Sequence, residues 1–479
     1  MMLNPILTIA IPLGLAFLSV ILKRKRRWIL LAAAFANVVM LFFLDKGEVV
    51  IGGFRAPFGI NLVLDAYALT GMAVAGVLFL AAALVSRDKA ERFSTVLLAA
   101  LAGINGMLLT GDLFNLFVFM EITAISAYLL SSAGKRPEHS FNYLVLGSVG
   151  SVFYLLGLIL LYSMTGTLNM AEMSAAAGSM EPAALAVPLF LIFTGIAVEA
   201  KLIPAGGWVR GVLGNSDSLT GALFASVYSG AALFVFGRIF ADVLPVEGAA
   251  QTILILIGLL TFAFGEAAAF RQTSIRRILL YSSIGQSGLA AMLFATGLIF
   301  PAVLVIISNS ISKFVMFTTA GKITEIHGTD DYRELGGVFH GNRLVGAAFT
   351  ISALSLAGIP LLFGFYAKLN VLAAYFDGRN YFMPAVILIL AVVEGAYFIR
   401  LLIRLWTPGR EGEEPDAAGA VKGIGLFKPV GAAVVFILSM AILAAGLFPD
   451  HTGNFISSDG GLPGGDAPSI NLSLSKGGK

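Results

Sequence analysis

The sequence predicts an all-α polytopic membrane protein of about fourteen transmembrane helices, two of them interrupted. Three observations predict it. The 479 residues are 58% hydrophobic and only 12% charged, with a mean hydropathy of +0.90, which is too apolar for a soluble chain with a large core. Apolar runs of about 20 residues, enough for one crossing each, recur along the chain. Two of those runs carry proline and glycine breaks next to a lysine, at Pro204 and at Gly358–Pro360.

The runs lie near 4–22, 28–44, 64–85, 93–110, 113–133, 140–164, 183–203, 218–240, 250–270, 277–299, 302–322, 344–373, 381–406 and 429–448. The loops test that count. Lys23–Arg27, Arg87, Lys89, Arg92, Lys135, Arg136, Arg210, Arg271, Arg276, Arg277, Lys322, Arg333, Arg343, Arg404, Arg410, Lys422 and Lys428 all fall on one side. Lys46, Arg55, Arg238, Arg379, Lys476 and Lys479 fall on the other. The basic side is the inner one, so both termini are expected outside.

Between the helices, Asp45–Asn61 reads as an outer hairpin or loop, with β-branched residues between glycine and proline breaks. Lys322–Arg343 reads as an inner polar loop with short helical potential, and Thr407–Lys428 as a mobile inner connector. The expected organisation is one transmembrane domain over 1–479, with a core at 64–406, flanking helices at 1–44 and 429–448, and a flexible tail at 450–479. Zero cysteines exclude thiolate-held iron–sulfur clusters, disulfides and cysteine catalysis within this chain. The four histidines all fall in expected loops, leaving no intramembrane histidine relay. A net charge of +3, spread over membrane-flanking loops, gives no nucleic-acid surface.

Chemistry is concentrated in the charges that remain inside the apolar runs. A charged side chain at the bilayer centre costs about 2.5–3.5 kcal/mol on insertion scales, so it normally pairs or lines a wet cavity. The candidates are Glu121, Glu199, Lys201, Glu266, Lys313, Lys368 and Glu394. Glu199 and Lys201 precede Pro204, and a charge beside a helix break is a pointer to an ion-transport site. The structural alternative is a proline kink with the lysine snorkelling to the interface. Lys313 follows the polar run Ser308, Asn309, Ser310, Ser312, which suits either a water file or helix-packing hydrogen bonds. Lys368 follows Gly358–Pro360, roughly 156 residues after the first break when proline is measured to proline, which suggests two repeated halves. Glu266 and Glu394 read equally as functional or as interfacial.

GINGMLLTGDLFNLFVFMEITAISAYLL and YLVLGSVGSVFYLLGLILLYSMTGTLNM, between residues 103 and 170, closely resemble the antiporter-like proton-translocating subunits. The nearest likeness is the D-type subunit of Mrp cation/proton antiporters, related to subunits of membrane-bound hydrogenases and complex I. APFGINLVLD, RQTSIRRILLYSSIGQSGL and LSLAGIPLLFGFYAKL extend the resemblance over about residues 50–405. It implies two inverted five-helix repeats, each with a broken helix forming a half-channel. It also implies that Glu121 is the essential fifth-helix glutamate, Lys313 an axial lysine and Lys368 the lysine of the second broken helix. The chain departs from that pattern in three places. Glu199 stands where the family has its seventh-helix lysine, with Lys201 displaced two residues. Gly230 stands at the eighth-helix lysine, and Asn309 at a histidine before the axial lysine.

The resemblance implies a subunit working with other membrane subunits, moving protons or coupling proton and sodium movement, with no cofactor or metal of its own. The rival is a structural or coupling subunit of a redox-driven complex that conducts nothing and whose first half-channel is degenerate. On the first reading, unwinding at Pro204 is expected to swing Lys201 towards Glu121.

Overall fold

The computed structural model describes residues 3–54, 59–132, 134, 136–244, 246–408 and 426–449. The expected tail (450–479) and most of the expected connector (409–425) lie outside the described residues. Among the described residues, eleven helices are long and apolar enough to cross a membrane. The shorter apolar helices Leu7–Ile21, Ser94–Leu109 and Arg343–Ala357 complete the expected fourteen.

In chain order, α1 (Leu7–Ile21) and α2 (Arg26–Met40) lead to a hairpin of β1 (Gly47–Val50) and β2 (Asn61–Leu64). These strands pair antiparallel, from Gly47 opposite Leu64 to Val50 opposite Asn61, as the 45–61 stretch suggested. Asp65 caps α3 (Ala66–Val85) by accepting from the Ala68 amide, satisfying a donor the helix cannot satisfy itself. There follow α4 (Arg87–Arg92), α5 (Ser94–Leu109), α6 (Leu113–Ser132), α7 (Pro137–Thr165), α8 (Met170–Ala177) and α9 (Pro182–Glu199). A 3₁₀ turn at Ala205–Trp208 and the short α10 (Val209–Asn215) complete the first broken crossing.

The next crossing, Ser218–Val243, contains α11 (Ser218–Leu223) and α12 (Ser229–Gly237), with π-helical turns at Phe224–Tyr228 and Arg238–Val243. Then come α13 (Gly248–Phe270), α14 (Ile275–Ala295), α15 (Ile299–His327), α16 (Arg343–Ala357), α17 (Phe363–Asp377), α18 (Phe382–Trp406) and α19 (Pro429–Leu447). Four expectations are refined. The 183–203 run ends as a helix at Glu199, and the 344–373 run is two helices separated at 358–362. The 322–343 stretch forms no helix of its own, because α15 takes its first residues and turns fill the rest. His139 and His327 belong to the ends of α7 and α15 rather than to loops.

Five successive crossings (α5, α6, α7, the α9–α10 pair, Ser218–Val243) are followed by five more (α13, α14, α15, the α16–α17 pair, α18). The fourth member is broken in both runs. An odd number of crossings makes the second run start from the opposite face, so the repeats are inverted. The Ser218–Val243 crossing is buried along its length, and α14 and α15 nearly so. By contrast α7, α13 and α18 expose apolar side chains such as Val152, Leu260 and Val392, as suits hydrocarbon contact.

Glycine lets the central helices touch. A Cβ at Gly265 of α13 would sit 2.3 Å from the Gly285 amide nitrogen of α14, and one at Gly288 would sit 2.5 Å from the Phe262 nitrogen. Small residues at such a contact allow backbone-to-backbone packing. This approach brings the Glu266 carboxylate against α14, with Oε1 2.5 Å from where a Gly285 Cβ would be.

Candidate functional site: a polar line across the bundle

At the first break α9 stops at Glu199, and Lys201 has a left-handed backbone (φ 63°). A non-glycine residue there costs on the order of 1–3 kcal/mol and persists where the surroundings over-determine it. The freed backbone groups are answered by protein. Trp208 Nε1 donates to the Val198 carbonyl (3.0 Å), and the Ile203 amide donates to Thr261 Oγ1 (3.1 Å). The left-handed residue sends the Lys201 side chain inward, where it is 1% exposed and its Nζ donates to Ser283 Oγ at 2.6 Å.

The expected swing of Lys201 towards Glu121 is therefore not what the structure shows. Glu121 accepts from Ser151, and Glu199 Oε2 accepts from Tyr143 at 2.7 Å. Ser151 and Tyr143 lie two helical turns apart on α7, so one helix presents a hydroxyl to each acid. The Tyr143 ring stacks on Trp208 with centroids 3.8 Å apart, tying Glu199 to the break. The Tyr228 hydroxyl, at the end of the first π-helical turn, is buried without a protein partner among the described residues.

At the second break α16 ends at Ala357, with Gly358 (φ 83°) as its left-handed cap. The Leu356 carbonyl, orphaned by the helix end, accepts from Lys368 Nζ at 2.6 Å. The same ammonium forms an ion pair with Glu394 Oε2 at 2.7 Å. Glu394 is fully buried and also accepts from Gln286 Nε2 at 3.0 Å through Oε1 and 3.2 Å through Oε2. One helical turn further along α18, Tyr397 donates to Glu266 Oε2 at 2.8 Å. Glu266 and Glu394 are thus interior groups, not interfacial ones.

Between the breaks, Lys313 is fully buried. Its Nζ donates to Ser282 Oγ at 2.6 Å and lies 5.4 Å from the Phe398 ring centre. Ser282 and Ser283 are neighbours on α14, so two lysines from different repeats meet one serine pair. Gln286, one turn on, carries the line to Glu394 and Lys368. Along α15 the buried Ser308, Asn309 Oδ1 and Ser312 groups have no protein partner among the described residues, leaving water as their natural one. At Gly230 a Cβ would sit 3.0 Å from Ser310 Oγ, so α15 packs tightly against the position to which the family resemblance assigns a lysine.

Five of the seven sequence candidates, Lys201, Lys313, Lys368, Glu394 and Glu266, lie on or beside this line. Glu121 and Glu199 stand apart from it on α6 and α9. Sequence reasoning missed Ser282, Ser283, Gln286, Tyr143, Ser151 and Tyr397. The first three had a signal: SSIGQS places them three and four apart, on one helical face. The others are ordinary helix residues until their partners are known. Among the described residues, no group of three or more His, Asp or Glu side chains is placed to hold a metal ion.

Residues 110–394 match the family described as NADH:quinone oxidoreductase/Mrp antiporter, TM. The chain is 30% identical to NADH-quinone oxidoreductase subunit N of Desulforudis audaxviator, over 93% of this chain and 96% of that one. It is 31% identical to the D-type Na(+)/H(+) antiporter subunit of Alkalihalophilus pseudofirmus, over 76% and 77% of the two chains. A chain in the structure of the membrane-bound sulfane sulfur reductase, an archaeal respiratory membrane complex, superposes with a TM-score of 0.84 at 31% identity, covering 94% of this chain and 96% of that one. A chain of the Mrp complex from Dietzia sp. shares the fold, with a TM-score of 0.83 at 24% identity, over 94% and 95%. This polytopic, transporter-type chain belongs to the NADH:quinone oxidoreductase/Mrp antiporter transmembrane family.

Proposed function

We propose that this chain is an ion-translocating subunit of a multisubunit membrane complex, a single transmembrane domain in which protons pass along the α14-centred line. One observation carries the reading: three bonded groups, Lys201–Ser283, Lys313–Ser282 and Gln286–Glu394–Lys368, follow one another along one face of α14 from the first break to the second. A serine hydroxyl both donates and accepts. It accepts from a charged lysine and, after rotation, donates to a neutral one. At the far end of the line Lys368 Nζ contacts Glu394 Oε2 at 2.7 Å, an acid and a base close enough to exchange a proton directly. The chain itself carries no catalysis on this reading, and any redox chemistry resides in partner subunits.

The test is Lys368→Ala in the assembled complex. Ion-coupled activity should fall ~10²-fold or more, the scale of losing a positioned proton-transfer group, with subunit composition unchanged. Wild-type transport in that variant would favour the structural rival. Orientation is tested separately. Reporter fusions after Arg27 and Arg277 should face the inside, and fusions after Gly53 and Arg379 the outside.

A second reading has its own observation. The first-repeat acids Glu121 and Glu199 are served by hydroxyls while Lys201 turns away, an all-oxygen environment suited to a sodium ion. Sodium uptake abolished by Glu199→Gln, with proton movement retained, would support it.

A further inference from the structure

A cavity of about 770 Å³ opens at the arginine-rich end of the first broken crossing, between the start of α7, α10 and the start of α14. Arg136, Arg210, Arg277 and His139 line it, and none of the described residues lining it is acidic. Other basic residues at this end are engaged: Arg276 with Asp330 at 3.3 Å and Lys89 with Glu325 at 2.5 Å. One wall is different in kind. Phe141, Val145 and Leu146 of α7 also line the cavity and are 63%, 44% and 40% exposed on the outer surface of the bundle.

We propose that this cavity binds one anionic phospholipid from the arginine-rich leaflet. Its phosphate sits among Arg136, Arg210 and Arg277, and its acyl chains run along Phe141, Val145 and Leu146. The volume falls within the ~300–1,000 Å³ range of ligand sites. Basic pockets between membrane helices are suited to anionic headgroups. The apolar wall distinguishes a lipid from a soluble phosphate or an acidic protein segment, neither of which would cover α7 down into the hydrocarbon. Trp208 and Gly207 of the break also line the cavity, so a bound headgroup braces the turn that holds Tyr143 and Glu199.

The test is native mass spectrometry of the intact complex titrated with cardiolipin or phosphatidylcholine. The wild type should retain one cardiolipin that phosphatidylcholine does not replace. Arg136→Gln/Arg210→Gln/Arg277→Gln should bind it about a hundredfold less tightly, at roughly tenfold or less per arginine near a membrane surface. A matched triple, Arg87→Gln/Arg92→Gln/Arg271→Gln, removes equal charge away from the cavity and should bind as wild type does. A photoactivatable acyl chain should label Phe141 or Val145. Equal retention in both triples, equal retention of phosphatidylcholine, or displacement by inorganic phosphate alone would overturn the proposal. Loss of a partner subunit from the cavity triple with lipid binding unchanged would overturn it too, assigning the cavity to a protein contact.

Discussion

Each broken helix supplies one lysine, and the two are delivered differently. Lys201 lies inside its break, three residues before Pro204, and a left-handed backbone carries it away from the acids of its own repeat to a serine of the other. Lys368 lies beyond its break, within the regular helix α17, and folds back onto the Leu356 carbonyl and Glu394. The second repeat thus holds a complete acid–base pair, while the first donates its base to the centre. Where a lysine sits relative to a helix break decides which half of the molecule it serves.

The largest effect that would break this comparison is the loss of transport in Lys368→Ala. Next is Glu394→Gln, which leaves the Lys368 ammonium without its carboxylate. Breaking a buried pair from one side costs ~3–5 kcal/mol when the remaining charge persists. A lowered unfolding temperature of the complex should report it, and an unchanged one would show that the pair contributes nothing to stability.

Lys201→Ala sharpens the contrast. Its Nζ bonds Ser283 and not Glu121, so the carboxyl infrared band of Glu121, identified against Glu121→Gln, should stay in place. Ion-coupled activity should fall about tenfold, the cost of one hydrogen bond to a charged group. A moved Glu121 band would return Lys201 to its own repeat.

The smallest effect concerns the face opposite the arginine-rich one, where Arg238 holds Asp65 through two contacts of 2.5 and 2.9 Å. Burial alone would raise the Asp65 pKa, but the guanidinium outweighs it and the folded value lies below the ordinary 3.8. A lowered folded pKa contributes stability that is fully present above 3.8 and is lost as the pH falls through the folded value. Asp65→Asn should therefore be less stable than wild type near neutrality, with the gap closing below pH 3.8 in a thermal-shift series.

Composition and periodicity settled the membrane-spanning architecture, because each crossing needs a long apolar run and each break needs proline or glycine. The seven charges within the apolar runs were legible for a related reason: an ionisable residue stands out against an apolar run whatever its partner. What the sequence could not hold was the pairing. Glu199 and Lys201 are two residues apart, yet one meets Tyr143 on α7 and the other Ser283 on α14. That divergence depends on a single left-handed residue at the break and on serines 82 positions away. Sequence spacing gives directions only along a regular helix; at a break, packing against neighbouring helices chooses the dihedral angles. The tertiary structure alone therefore decided which lysine answers which acid.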